Sequence, residues 1–175
     1  MSKARAPLVK RARAVRLAIF DVDGVLTDGT LWIGPEGEEF KAFNILDGHG
    51  IKMLQAAGID TAILSGRESQ AVVRRAAELA IRHVVQGAGD KLAAFDRLIA
   101  QAGCRAEACS FMGDDLPDLP VLRRCGFAVA VANAVDAVKE AAHYVTRAAG
   151  GGGAVREFCE LVLAARAQLP GVRAV

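Results

Sequence analysis

Two carboxylates two residues apart, Asp21 and Asp23, end an apolar run and are closed by Gly24. Polar residues recur in the same place after later apolar runs: Ser65-Gly66-Arg67, then Gly87-Ala88-Gly89-Asp90-Lys91, then Gly113-Asp114-Asp115. Converging carboxylates repel unless a cation lies between them, and an oxygen-only donor set without paired His or Cys favours Mg²⁺ over zinc. The Ser65 hydroxyl, the Gly66 backbone and the Lys91 ammonium are the kinds of group that hold the equatorial oxygens of a phosphoryl group. A carboxylate can also attack phosphorus, and a second one two residues on can protonate the leaving oxygen and later activate water. Asp21 and Asp23 suit those two tasks, provided the chain turns beyond the strand so that both face the same ligand.

Such residues act together only if a scaffold brings them to one edge. Val15 to Phe20, apolar but for Arg16, reads as a strand buried in the middle of a parallel sheet, and open α/β sheets bind ligands beyond the carboxyl ends of such strands. From Ile59 strand and helix alternate. The strands are Ile59–Leu64, Arg82–Gln86, Ala108–Met112, Phe127–Val131 and an extended His143–Thr146, and between them lie helices over Glu68–Ala80, Asp90–Ala102, Leu116–Arg124 and Val135–Ala141. Short connections then imply right-handed crossovers. The expected fold is α/β, a three-layer Rossmann-like sandwich with a central parallel sheet.

Between the first strand and this series, residues 29–44 read as an inserted β-hairpin around Gly34-Pro35-Glu36-Gly37, with more apolar surface than a solvated hairpin needs. A helix follows, with Asp47 as its expected N-cap. Gly150 to Gly153 reads as a flexible joint, and Val155, Phe158, Val162 and Ala165 form one apolar stripe on a last helix. The expected organisation is a flexible basic arm over 1–14, one domain over 15–169 and a tail over 170–175.

The motifs DVDGVLT, LSGR, GDK and GDDLPD resemble, in order, the four signatures of the haloacid dehalogenase-like phosphohydrolases. The resemblance implies Asp21 as nucleophile and Asp23 as acid and base, with Ser65, Gly66 and Lys91 on the phosphoryl group. It implies a Mg²⁺ ion on Asp21, Asp114 and the backbone carbonyl of Asp23. From Val15 to about Ala167 the chain is further similar to the 3-deoxy-D-manno-octulosonate 8-phosphate phosphatases, through DGVLTDG, the hairpin in place of a large cap, FNILDGHGIKML, LSGRES with Arg75, and GGGGAVRE. That likeness implies a Mg²⁺-dependent homotetramer in lipopolysaccharide synthesis, with hairpins meeting at its centre and pockets completed between subunits; with no run of about 18 apolar residues and no apolar signal-peptide core at the N-terminus, a cytoplasmic location is expected. It places Asp23, Asn44, Ile45, Leu46, Asp47, Gly48, Arg67, Arg75 and Lys91 on the substrate, where a cationic pair suits a carboxylate beside a phosphate. Two positions depart from the pattern: Leu46 stands where the family commonly has Arg, and the glycine run lacks its Lys at Gly152 or Gly153. Related readings are a phosphatase of another sugar acid, such as a nine-carbon ulosonate 9-phosphate, or a non-catalytic oligomerisation module.

Composition is consistent with this. The chain has 175 residues, 53 % of them hydrophobic, enough for one sizeable core. Its net charge of +2 hides six basic residues among the first sixteen, which hold no acid; sixteen basic and twenty acidic residues remain elsewhere. No aromatic is interleaved with the basic run, so neither nucleic acid nor membrane is expected as a partner. Four scattered cysteines without metal-ligand spacing are expected to be reduced thiols, His83 and His143 to be structural, and His49 to lie at most near the pocket mouth.

Overall fold

A computed structural model describes residues 5–167. Six parallel strands form the central sheet: β1 (Leu17–Phe20), β4 (Asp60–Leu64), β5 (His83–Val85), β6 (Cys109–Gly113), β7 (Phe127–Ala130) and β8 (Tyr144–Val145), in the spatial order β5-β4-β1-β6-β7-β8. The chain leaves β1 toward β4 and β5 and then returns to β6 on the other side. That reversal makes the carboxyl end of β1 the topological switch point, where such sheets hold ligands. Register extends past the strand, since the Asp21 amide donates to Met112 O at 3.0 Å.

Helices cover both faces, as the alternation predicts. On one face α7 (Ala154–Ala165) packs against α2 (Ile45–Ala56) and α1 (Arg5–Ala14), and α3 (Gln70–Glu78) is joined to α2 by Gln55 Nε2 donating to Leu79 O. On the other, α4 (Lys91–Gln101), α5 (Leu119–Arg124) and α6 (Asp136–Ala141) pack in sequence. Phe158 of α7 lies edge-on to Phe20, with ring centroids 5.9 Å apart, and also meets Phe127, so the last helix closes the core beneath the first strand. The insertion is a two-stranded antiparallel hairpin, β2 (Trp32–Ile33) and β3 (Glu39–Phe40), pairing Trp32 with Phe40 and Ile33 with Glu39.

Three expectations are corrected. Residues 5–14 are not a frayed arm: Leu8, Val9 and Ala12 give the helix an apolar stripe that joins the core, Arg11 Nη1 donates to Gly126 O at 2.7 Å, and Arg13 Nε to Ala165 O at 2.9 Å. The basic side chains there serve as donors to carbonyls at the ends of other elements. Residues 1–4 and the tail 170–175 lie outside the described residues. The glycine run is not a joint either. Gly150 is buried on the turn after β1, its Cα so close to Gly24 O that no Cβ would fit, and Gly151 N donates to Val25 O at 3.0 Å. Glycine is needed here for close approach of two backbones.

The third correction concerns Asp47. Asn44 is the N-cap of α2, its side chain accepting from Leu46 N at 2.8 Å. Asp47 is buried in the first turn, and its Oδ1 accepts from Arg156 N at 2.8 Å. Gly153, the N-cap of α7, has no side chain to offer, so the carboxylate of a different helix satisfies that terminus. Burial still pushes the Asp47 carboxyl above its ordinary pKa, against the lowering effect of the α7 amides.

Candidate active site

Each strand end delivers its residue for a local reason. Beyond β1 the amides of Val25, Leu26 and Thr27 all donate to Val22 O, a tight turn that buries Val22 and leaves Asp21 and Asp23 on one side. Gly24 lies in that turn at φ +85°, and any Cβ on it would run into the Asp114 carboxylate. After β4, Ser65 is buried and its Oγ accepts from Arg67 N at 3.3 Å. After β5, Asp90 caps α4 by accepting from Ala93 N at 3.0 Å, which places Lys91 at the first helical position facing inward. After β6, Asp115 caps the 3₁₀ turn Leu116–Asp118.

These groups line one cavity of about 670 Å³: Asp21, Asp23, Ser65, Gly66, Arg67, Lys91 and Asp114, with Gly29, Asp90 and Asp115 around them and Leu92, Pro117 and Pro120 at an apolar rim. Asp21 is almost fully buried. Lys91 Nζ donates to Asp21 Oδ2 at 2.8 Å and to Asp118 Oδ1 at 2.7 Å. Asp118 Oδ2 accepts from the amides of Asp114, at 2.9 Å, and Asp115, at 3.3 Å.

One ammonium therefore faces three carboxylates, Asp21, Asp114 and Asp118, whose oxygens lie within 4.8 Å of one another. The imbalance shows in their acidity. Burial first, and the charge of Asp118 second, push Asp21 up to about 7; burial, Asp118 and Asp115 do the same to Asp114, also to about 7. Burial pulls on the Lys91 ammonium in the opposite sense, but Asp21 and Asp118 outweigh it and hold its pKa above the ordinary value. A divalent cation with oxygen ligands is the group that such a cluster fits. Asp118 already uses both oxygens on Lys91 and two amides, so Asp21 and Asp114 are the side chains with the greater capacity left for a metal.

The other expected substrate residues lie elsewhere in this protomer. Asn44 Nδ2 donates to Gly151 O at 3.0 Å, and Ile45 and Leu46 are exposed at the start of α2. Asp47 turns to α7. Gly48 lies under Arg75, whose Nη2 donates to Asn44 O at 3.3 Å and whose guanidinium stacks over Phe43, 5.9 Å from the ring centroid. Arg75 thus braces the segment joining hairpin to α2 rather than lining the cavity. His49 is exposed on α2 and does not line the cavity. His143 accepts from Ala128 N at 2.9 Å.

Three residues of the site were not singled out from sequence. Asp118 is the last acid of GDDLPD, four residues after Asp114, and that helical spacing could have marked it. Lys41 and Glu39 come from the hairpin. Lys41 Nζ is ion-paired with Asp23 Oδ1 and lies 3.5 Å from Glu39 Oε1; Glu39 Oε2 accepts from Arg67 Nη2 at 3.1 Å, and Arg67 Nε lies 3.7 Å from Asp23 Oδ2. Strand alternation contains the signal, since Phe40 facing outward forces Glu39 and Lys41 inward.

Compared with known proteins, the chain is 48 % identical over 164 residues to the 3-deoxy-D-manno-octulosonate 8-phosphate phosphatase of Yersinia pestis, covering 94 % of this chain and 88 % of that protein. The chain belongs to the 3-deoxy-D-manno-octulosonate 8-phosphate phosphatase family. Residues 80–158 match the model of the haloacid dehalogenase-like hydrolases, which contain that family. Among solved structures, the Moraxella catarrhalis phosphatase of the family, in complex with magnesium, phosphate and the KDO molecule, is 44 % identical with a TM-score of 0.88, over 90 % of this chain and 91 % of that one. A probable YrbI family phosphatase from Pseudomonas syringae is 55 % identical with a TM-score of 0.91, over 93 % of each chain. The six-stranded sheet and the hairpin insert described above are thus the phosphatase family's architecture.

Proposed function

We propose that this protein is a Mg²⁺-dependent phosphomonoesterase that hydrolyses 3-deoxy-D-manno-octulosonate 8-phosphate to the free sugar acid and phosphate. The observation that carries the reading is the cavity itself, where Asp21 is hydrogen-bonded to Lys91 within a cluster of carboxylates that one ammonium cannot neutralise. Family membership supplies the substrate.

In the first step Asp21 attacks phosphorus in line, the bond from phosphorus to the sugar oxygen breaks, and Asp23 delivers its proton to that oxygen. In the second, water gives a proton to Asp23 and attacks the same phosphorus. The bond to Asp21 breaks, releasing phosphate and restoring both side chains. Ser65, the Gly66 backbone and Lys91 hold the phosphoryl oxygens throughout. Asp21, Asp114 and the backbone carbonyl of Asp23 would hold the Mg²⁺ ion, which supplies charge neutralisation between an anionic nucleophile and an anionic phosphoryl group. Arg67, on the cavity wall, suits the substrate carboxylate. Comparing kcat/KM across a panel of sugar phosphates tests the assignment: the octulosonate 8-phosphate is expected to lead by at least about tenfold over a nine-carbon ulosonate 9-phosphate. Equal rates on both would remove it, and absence of any Mg²⁺-dependent turnover would favour an assembly module.

The hairpin supports a homotetramer. Its outward face carries Trp32, 63 % exposed, opposite Phe40, 62 % exposed; Ile33 on the other face is 69 % exposed, and exposed Ile45 and Leu46 follow at the start of α2. A contiguous apolar surface of this kind marks a protein interface. Light scattering is expected to give a tetramer for the unmodified chain and smaller species for Trp32→Glu/Phe40→Glu; a monomeric unmodified chain would refute the assembly. Among the described residues no helix is long and apolar enough to cross a membrane.

A further inference from the structure

Hairpins on soluble proteins usually turn their apolar side chains toward the body and their charges toward water. This one does the reverse. Phe40 faces out, and Lys41 reaches inward until its side chain is only 1 % exposed. Burying an ammonium carries a large desolvation cost unless it is well paired, and a buried ion pair is weak support for stability compared with apolar residues of similar size. The position therefore calls for a role other than holding the hairpin down.

The pairing shows what that role is. Lys41 holds Asp23 Oδ1 from the hairpin, Arg67 approaches Asp23 Oδ2 from the end of β4, and Glu39 joins the two cations. With Asp23 in the carboxylate form that takes the proton from water, four charges on three segments form a closed, neutral ring that grips Asp23 at both oxygens. Arg67 alone could not do this, since its side chain is 52 % exposed and its Nε is 3.7 Å away.

We propose that Lys41 is a positioning residue for proton transfer, acting through Asp23. The inference rests on the phosphatase reading above. Asp23 must meet the sugar oxygen as the bond from phosphorus breaks, then find a water in the same place before the bond to Asp21 is cut. Displacement of a reacting group by about 1 Å can cost on the order of 100-fold. Lys41 keeps the carboxylate at one position for both encounters, and does so from an element that contributes no atom to the reaction.

The experiment compares Lys41→Met and Lys41→Arg with the unmodified chain, using the sugar-acid phosphate and p-nitrophenyl phosphate. With the sugar-acid phosphate, Lys41→Met is expected to lower kcat by about 100-fold while KM stays within about threefold, and Lys41→Arg to recover most of the loss. With p-nitrophenyl phosphate, whose leaving group departs without a proton, Lys41→Met is expected to give a burst of nitrophenolate. The burst should equal one per active site at close to the unmodified rate, followed by slow turnover limited by the water step. Burst and turnover slowed in equal proportion would mean that the substitution merely slackens the site, and would overturn the proposal. So would activity within threefold of the unmodified chain. Lys41→Gln, judged by the same criteria, replaces Lys41→Met if the latter does not fold. An unmodified chain without Mg²⁺-dependent activity would overturn the phosphatase reading itself, a result distinct from an active enzyme indifferent to Lys41.

Discussion

Asp21→Asn is expected to reduce turnover of the sugar-acid phosphate by at least about 10⁴-fold, to the limit of detection. The amide has the shape of the carboxylate but no anionic oxygen with which to form a bond to phosphorus. Ser65, Lys91 and the turn through Gly24 remain in place, so phosphate binding measured by calorimetry should survive better than catalysis. Folding should survive too: Asp21 lies beside Asp118 in a buried cluster with a surplus of negative charge, and replacing it relieves repulsion even as Lys91 loses one partner. Retention of even a hundredth of the turnover in the Asn variant, with contamination excluded, would place the nucleophile elsewhere. On the proposed mechanism this residue holds function against stability, since a carboxyl pushed up to about 7 by burial is a poor choice for a core and the one group placed for attack.

The same cluster predicts how the metal-free protein responds to pH. In the fold Asp21 and Asp114 keep their protons up to about 7, whereas the unfolded chain releases them near the ordinary 3.8. Between those values the folded state binds more protons than the unfolded one, so stability falls as pH rises through the window. With two groups involved, the loss from pH 4 to pH 8 is on the order of a few kcal/mol. Chemical denaturation in the presence of a chelator reads it directly. Added Mg²⁺ should restore stability most at pH 8, where both carboxylates are free to bind it, and little near pH 5, where protons occupy the same oxygens. Chelation should abolish turnover at every pH. A metal-free protein whose stability is flat or rising across the window would mean that the three carboxylates are already balanced without a divalent ion.

Much of the scaffold can be read from the chain because its central strands, Leu17–Phe20, Asp60–Leu64, Cys109–Gly113 and Phe127–Ala130, are almost wholly buried and appear as short apolar runs, the first three each followed by a polar cluster. Parallel topology then places those clusters on one edge, and Asp21, Asp23, Ser65, Lys91 and Asp114 come together there for that reason. Where sequence reading fell short, the determining contact was long-range. Asp47 looks like a cap for its own helix, and only the approach of α7, 109 residues later in the chain, shows which N–H it serves. The glycine run looks mobile until the turn after β1 is seen filling the space where side chains would be. The basic N-terminal segment looks solvated because it carries five basic residues and no acid in its first fourteen positions, yet Ala12 is wholly buried. Lys41 was passed over because a lysine on a small hairpin is ordinarily a surface residue, and the parity of that strand depends on which face meets the protein.

The seating of Gly150 on Gly24 has a consequence for how the protein comes into being. Every signature segment, from Asp21 to Asp118, is synthesised before Gly150. A chain cut short just ahead of it would therefore contain all the reactive groups and still leave the turn that presents them without its inner wall. Domains emerge and fold from the N-terminus onward, and contacts between distant positions form last because their loops are the most costly to close. On that basis the turn after β1, first in sequence among the loops proposed to act, is expected to be completed late. A nascent chain, with its phosphate-seeking groups already made, is expected to be inactive until α7 docks.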